Sequence, residues 1–212
     1  MDKIIVIGGG GHAKVLMSVL QKAGWNITGY TDIKEGQAVL GVPCLGGDHV
    51  LESMLDDYSK YNAVIGVGKI DYSNKRLVLQ DRFEELGFHF PVIISPDSIV
   101  NSDVLPGAGT VVFDGAVINS GTRTGRACII NTNCTVEHDC ILGNNVHIAP
   151  GAVLCGGSII GDNCMIGAGA VVIQKAHISA GCLVGAGAVV VGSLSEAGTY
   201  VGNPAYRLES SI

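Results

Sequence analysis

The chain has 212 residues, with 13 Lys and Arg against 19 Asp and Glu, a formal net charge of −6, and 47% hydrophobic but only 15% charged residues. That composition supports a packed core and excludes disorder, and the acidic balance excludes a basic surface able to track nucleic acid or an anionic membrane. Glycine, at 31 residues, is about double the usual share of roughly 7%, while aromatic residues reach only 5%, as in an architecture built from repeated tight turns.

Met1-Asp2-Lys3 leads directly into Ile4-Ile5-Val6-Ile7-Gly8, without the long apolar segment and small-residue cleavage site of a signal peptide. No apolar run is long enough for a membrane span. The seven cysteines fit neither paired zinc spacing nor a small secreted disulfide framework, so a cytoplasmic location is expected.

Over the first ninety residues strand and helix signals alternate. Lys3 to Ile7 is a continuous apolar strand, and His12 to Ala23 is helical, with Val15, Leu16, Val19, Leu20 and Ala23 on one face and Gly24 as its stop. Asn26 to Thr31 is a second strand, Leu51, Met54, Leu55 and Tyr58 form a second helical stripe, and Ala63 to Val67 is a third strand. Leu79, Phe83 and Leu86 form a last helical stripe, stopped by Gly87. Parallel strands with intervening helices predict an α/β half-Rossmann domain over residues 1–92.

Gly8-Gly9-Gly10-Gly11-His12-Ala13-Lys14 lies between the first strand and its helix, where free helix N–H groups attract phosphate. Gly8, Gly10 and Ala13 satisfy G-x-G-x-x-A, and Asp32 ends the second strand where a ribose-binding acid belongs. Only one mononucleotide-binding half is present, which disfavours NAD and suits a nucleotide-sugar.

From about Val92 a period of six replaces the helical one. Branched apolar residues fall at Val112, Ile118, Ile130, Val136, Leu142, Ile148, Leu154, Ile160, Ile166, Val172, Ile178, Val184 and Val190, and only Thr124 breaks the register. Two places before each lies a small side chain, such as Ala116, Cys128, Cys134, Cys140, Cys164 and Cys182, with Val146 the largest exception. A unit this short cannot form a core alone, so the units must stack. Residues eighteen apart then share a column, and the five cysteines are small buried hydrophobes, leaving Cys44 and Cys155 without an assigned role. Gly143, Gly161, Gly167 and Gly185, each directly after a buried branched residue, are expected at corners where the backbone bends.

This pattern resembles the hexapeptide-repeat acyltransferases, over roughly residues 100 to 192. The resemblance implies an all-β left-handed parallel β-helix over 93–212 with a C-terminal tail, three hexapeptides making each coil of a triangular prism. It also implies a homotrimer.

Asn131-Thr132-Asn133-Cys134-Thr135-Val136-Glu137-His138-Asp139 is the densest polar cluster in the repeat. His138 falls two places after inward Val136, at a corner, between two carboxylates that can orient an imidazole and raise its basicity. Gly156 lies one coil later and should stack on it, and the Gly156-Gly157 pair leaves backbone N–H groups open to an oxyanion. His147, half a coil on, faces away from that corner, so the two can converge only where a neighbouring prism meets the first. Lys14, His49, His89 and His177 have no visible partner and are assigned surface or packing roles.

Ile130-Asn131-Thr132, Glu137-His138-Asp139, His147 and the ending Tyr200-Val201-Gly202-Asn203-Pro204-Ala205 are similar to the bacterial UDP-4-amino-sugar N-acetyltransferases and sialic acid O-acetyltransferases. That resemblance implies acetyl-CoA as co-substrate and no metal. It implies His138 as proton acceptor, Asp139 tuning its basicity, Asn131 and Glu137 as supports, and the Gly156 N–H steadying the thioester oxyanion. His147 would contact acetyl-CoA, Ala168 and Ala186 would lie along the pantetheine, and Gly10, Gly11, His12, Asp32, Ile33 and Gly68 would contact the UDP-sugar. The expected reaction is direct acetyl transfer to the amine of a nucleotide-linked 4-amino-4,6-dideoxy sugar. Two alternatives stand beside it, O-acetylation of a sialic-acid-type sugar and a noncatalytic nucleotide-sugar sensor. A carbonic-anhydrase-type hydratase needs three metal-binding histidines with a closely spaced pair, and His138 and His147 do not fit.

Overall fold

The computed structural model describes residues 3–33, 36–54 and 60–209. Four parallel strands, β1 (Lys3–Ile7), β2 (Asn26–Thr31), β3 (Cys44–Gly46) and β4 (Asn62–Ile65), lie in the order β3-β2-β1-β4. Around them lie α1 (Gly11–Lys22), a 3-10 turn (Asp48–Val50), α2 (Leu51–Met54) and α3 (Lys75–Glu85). The strand β3 escapes the sequence reading because three half-buried residues are too few to show a period. The predicted strand ending at Val67 stops at Ile65, and Gly66 to Gly68 turn outward into a loop. On α1 the buried set is Ala13, Leu16, Met17, Val19 and Leu20, while Val15 is exposed, because a turn of 3.6 residues carries position 15 away from that stripe. Of the second helical stripe, the side chain of Met54 and all of Leu55 and Tyr58 lie outside the described residues.

From Ile93 onward the backbone winds through short strands in coils of eighteen residues, so that Ile129 pairs with His147 and Ile130 with Ile148. The strands stack in parallel into three faces; the last short strand, Tyr206–Arg207, closes one edge antiparallel. The thirteen aliphatic positions of the six-residue register, and the small residues two places before them, form one continuous buried core. Thr124 keeps its inward place at 8% exposure because its hydroxyl donates to the Gly125 carbonyl. The hexapeptide therefore turns a sequence period directly into a column of packed side chains, each worth about 1.5–3 kcal/mol when fully buried.

The corners correct the expectation for glycine. Backbone at positive φ recurs three residues after each inward aliphatic, at every sixth position from 109 to 187. Glycine fills eight of these positions and Ala127, Asn133, Asp139, Asn145, Asn163 and Lys175 the others. Gly143, Gly161, Gly167 and Gly185 are not among them. They are small because the next layer of backbone or side chain passes against them: a Cβ on Gly167 would come 2.6 Å from the Ala186 nitrogen.

The α/β unit sits on the face that carries Val111, Ile129 and His147. Outward-pointing Val111, Phe113 and Ile129 share a core with Ala13, Leu16, Met17 and Leu20 of α1. Two ion-pair clusters flank this seam, Lys22 with Asp97 (2.7 Å) and Asp114 (2.6 Å), and Arg126 with Asp81 (2.8 Å) and Glu84 (2.6 Å). Being half-exposed, they define orientation more than they stabilise.

Two substitutions separate the two kinds of glycine. Gly167→Ala should cost about 1–3 kcal/mol through overpacking against backbone. Gly187→Asn, at φ +67 with open space around it, should leave the midpoint of urea denaturation nearly unchanged, since asparagine already occupies three equivalent corners.

Candidate active site

Two features of the chain could bind or transform a substrate, the glycine-rich turn and the corner at His138. At the turn, a cavity of about 530 Å3 opens over the N-terminus of α1. Gly10, Gly11, His12, Asp32, Ile33 and Gly68, six residues singled out from the sequence, all line it. The Gly9 N–H donates to Asp32 Oδ2 at 3.0 Å, which ties the turn to the end of β2. Gly10 and Gly11 have open space where a Cβ would be, and no side chain caps α1, so its free N–H groups face the cavity. Free N–H groups at such an end can bind an anion. Ile33 and Ile70 stand at the rim, 99% and 84% exposed.

His138 projects from the corner between the second and third faces, with 64% of its side chain exposed. Its Nδ1 lies 2.8 Å from Asp139 Oδ2. An ionised carboxylate only accepts, so the proton sits on Nδ1 and the lone pair of Nε2 is free for a substrate proton. Asp139 is one of the positive-φ corner residues (φ 59), and the Asp139 N–H donates to the Ser120 carbonyl at 2.9 Å. One coil above, a Cβ on Gly156 would fall 2.5 Å from His138 Nε2, so the imidazole lies flush against a bare backbone. The Gly157 N–H donates to the His138 carbonyl (2.8 Å), and among the described residues the Gly156 N–H has no backbone acceptor.

The other residues chosen from the sequence lie elsewhere. Glu137 ends a ladder of stacked side chains, accepting from Asn119 Nδ2 at 3.0 Å while Asn119 accepts from Asn101 at 3.2 Å. Asn131 sits one corner away and bonds to His147. Ala168 and Ala186 stack, exposed, on that same corner column, a different edge of the prism from His138 and Gly156. His147 is only 7% exposed, because the face that carries it is covered by the chain's own α/β unit. Its Nδ1–H donates to the Lys69 carbonyl at 2.7 Å, and its Nε2 accepts from Asn131 Nδ2 at 3.0 Å.

Sequence reasoning missed what surrounds His147. Lys69 and Arg76 are buried at this seam; Lys69 Nζ donates to the Ser73 carbonyl (2.8 Å), and the Arg76 guanidinium donates to the Ile65 and Val67 carbonyls. Asn145 donates to the same Ser73 carbonyl at 2.8 Å. Among the described residues no carboxylate pairs with Arg76, and burial pushes its pKa down to about 10. Nothing in a local pattern distinguishes these cations from solvated ones, since their burial arises only when the prism docks. Burial, with Arg76 nearby, pushes His147 down to about 4 and His12 to about 3, so both rings are neutral at pH 7.

Residues 3–81 match the family model described as the PglD N-terminal domain, and residues 121–156 match the bacterial transferase hexapeptide model of six repeats. A comparison with curated proteins returned no match. Among solved structures, the acetyltransferase domain of PglB from Neisseria gonorrhoeae FA1090 in complex with acetyl coenzyme A is 35% identical, covers 98% of this chain and 99% of its own, and superimposes with a TM-score of 0.91. A variant of perosamine N-acetyltransferase from Caulobacter crescentus, in complex with CoA and GDP-perosamine, is 34% identical over 98% of this chain and 97% of its own, with a TM-score of 0.91. WeeI from Acinetobacter baumannii AYE is 28% identical over 97% and 99%, with a TM-score of 0.84.

The prism and its appended α/β unit thus define a hexapeptide-repeat acyltransferase. The chain belongs to the family of sugar acetyltransferases that contains the PglB acetyltransferase domain and perosamine N-acetyltransferase.

The depressed pKa of His147 sets a stability dependence. Its ordinary value of 6.5 applies in the unfolded chain, so the unfolded state binds more protons between pH 6.5 and about 4. Stability should be complete above 6.5 and fall as pH drops toward 4, by on the order of 3 kcal/mol for this residue. Urea denaturation at stepped pH measures it, and His147→Gln should flatten that part of the profile.

Proposed function

We propose that the chain transfers an acetyl group from acetyl-CoA to the amino group of a nucleotide-linked 4-amino-4,6-dideoxy sugar, with His138 as general base. One observation carries this reading: an exposed imidazole, fixed through Nδ1 by Asp139, lies with its Nε2 side against an unsubstituted glycine backbone. His138 Nε2 removes the proton from the sugar amine as it attacks the thioester carbonyl, and the Gly156 N–H stabilises the oxyanion. Asp139 holds the tautomer and balances the imidazolium. Collapse of the tetrahedral species expels the CoA thiolate, which takes up a proton, so no covalent enzyme intermediate forms.

In this reading residues 1–92 hold the nucleotide-sugar at the glycine turn and residues 93–212 carry the transfer. Glu137 and Asn131 keep their backbone segments in place, and His147 supports the acetyl-CoA site through Asn131. Ala168 and Ala186, exposed and small, line the pantetheine. Because they occupy a different edge from His138, a complete site requires edges of two chains, which supports a homotrimer. The half-buried β-branched stripe of Val117, Thr135, Val153, Val171 and Val189 supports the same assembly. The relatives bound to acetyl-CoA, and to CoA with GDP-perosamine, support the choice of donor and of a nucleotide-linked acceptor.

His138→Ala should lower the rate of CoA thiol release by about 10²–10⁴-fold while calorimetric affinity for the nucleotide is retained. Faster release with a sugar alcohol than with the matching amine would turn the assignment to O-acetylation, and an inactive parent chain that still binds nucleotide-sugar would make it a sensor. Gly156→Ala should also lower kcat, because its methyl group must displace the imidazole.

A further inference from the structure

The glycine-turn cavity does not end at Asp32. A second cavity of about 570 Å3 adjoins it, sharing Ile33 and Asp48 and continuing past the Leu45–Gly47 backbone to His49 and Arg82. We propose that the nucleobase occupies this second cavity and that Asp48 and Arg82 select guanine, making the substrate a guanosine diphosphate sugar. The inference rests on the reading of the chain as a nucleotide-sugar acetyltransferase and departs from the uridine nucleotide that the family resemblance implies.

Topology sets the direction of the nucleotide. A diphosphate at the N-terminus of α1 leaves the ribose at Asp32, beyond the carboxyl end of β2. The next strand in the sheet is β3, and its carboxyl end leads into the Asp48 turn. The base therefore arrives between Gly46 and Arg82. Ile33, 99% exposed at the passage between the cavities, offers an apolar surface that the face of a base would cover.

The chemistry of the walls then chooses among bases. Asp48 is oriented by the Thr31 hydroxyl, which donates to Oδ1 at 2.5 Å. Arg82 is held by its ion pair with Glu52 and by the Phe83 ring, whose centroid lies 5.5 Å from the guanidinium carbon. A carboxylate and a guanidinium in one cavity match guanine, whose N1–H and N2–H groups donate side by side and whose O6 and N7 both accept from arginine. Uracil has one N–H and no N7, and adenine has no adjacent pair of ring and exocyclic donors. The added volume also suits a bicyclic base.

Calorimetric titration of the full chain with GDP, UDP and dTDP tests the assignment without depending on acetyl transfer. GDP should bind about tenfold more tightly than either pyrimidine nucleotide, the discrimination of one good bidentate contact. Equal or tighter binding of UDP or dTDP would overturn the proposal. Arg82→Lys and Asp48→Asn should each remove most of the preference for GDP while leaving UDP affinity unchanged; equal loss for both nucleotides would also overturn it. The same 4-amino sugar supplied on GDP and on UDP with acetyl-CoA completes the test. Tight GDP binding without transfer to either supports the base compartment and rejects the acetyltransferase reading, whereas transfer with UDP preferred supports that reading and rejects guanine.

Discussion

The prism depends on a single backbone constraint, one residue in the left-handed region at every sixth position from 109 to 187. Without it the chain could not turn from one flat face to the next, and the aliphatic positions would not return to one axis. Glycine accepts this conformation at no steric cost, and Asn and Asp accept it better than other side chains. Asp139 is thus both a corner residue and the carboxylate that holds His138. The His138–Asp139 pair occupies a corner that the fold already turns sharply, and both side chains are solvent-exposed there.

The same geometry generates the rest of the corner. Because each coil repeats after eighteen residues, whatever stands above His138 is fixed by the register. Here it is Gly156, and the missing side chain gives the imidazole its place against backbone. The Asn101, Asn119 and Glu137 ladder uses the same stacking to satisfy polar groups along the neighbouring column. Packing, hydrogen bonding and the bare backbone beside the imidazole are three results of one periodicity.

Much of this was legible in the sequence, and the reason is physical. A period of six in side-chain volume has one economical folded form, so the buried column, the cysteines within it and the placement of Gly156 over His138 all follow from counting. The glycine turn was legible because a run of bare backbone between a strand and a helix is a local pattern, and the structure opens a cavity over it. What counting could not reach depends on docking between distant segments. Lys69, Arg76 and Asn145 look like ordinary polar residues until the α/β unit covers one face of the prism and encloses them around His147. The short strand β3 and the second cavity it borders were hidden for the same reason, and the function of the glycines after each inward aliphatic was misread because close approach between coils has no local signature.

The eighteen-residue stack also constrains how such a chain can change in evolution. Loss or gain of a whole coil shortens or lengthens the prism and leaves every edge intact. Loss or gain of a single hexapeptide between His138 and Gly156 keeps the core pattern yet rotates everything downstream by one face, carrying the glycine away from the imidazole. A hydrophobic core alone would tolerate both changes equally, so the placement of a bare glycine over the imidazole depends on a spacing that folding by itself does not require.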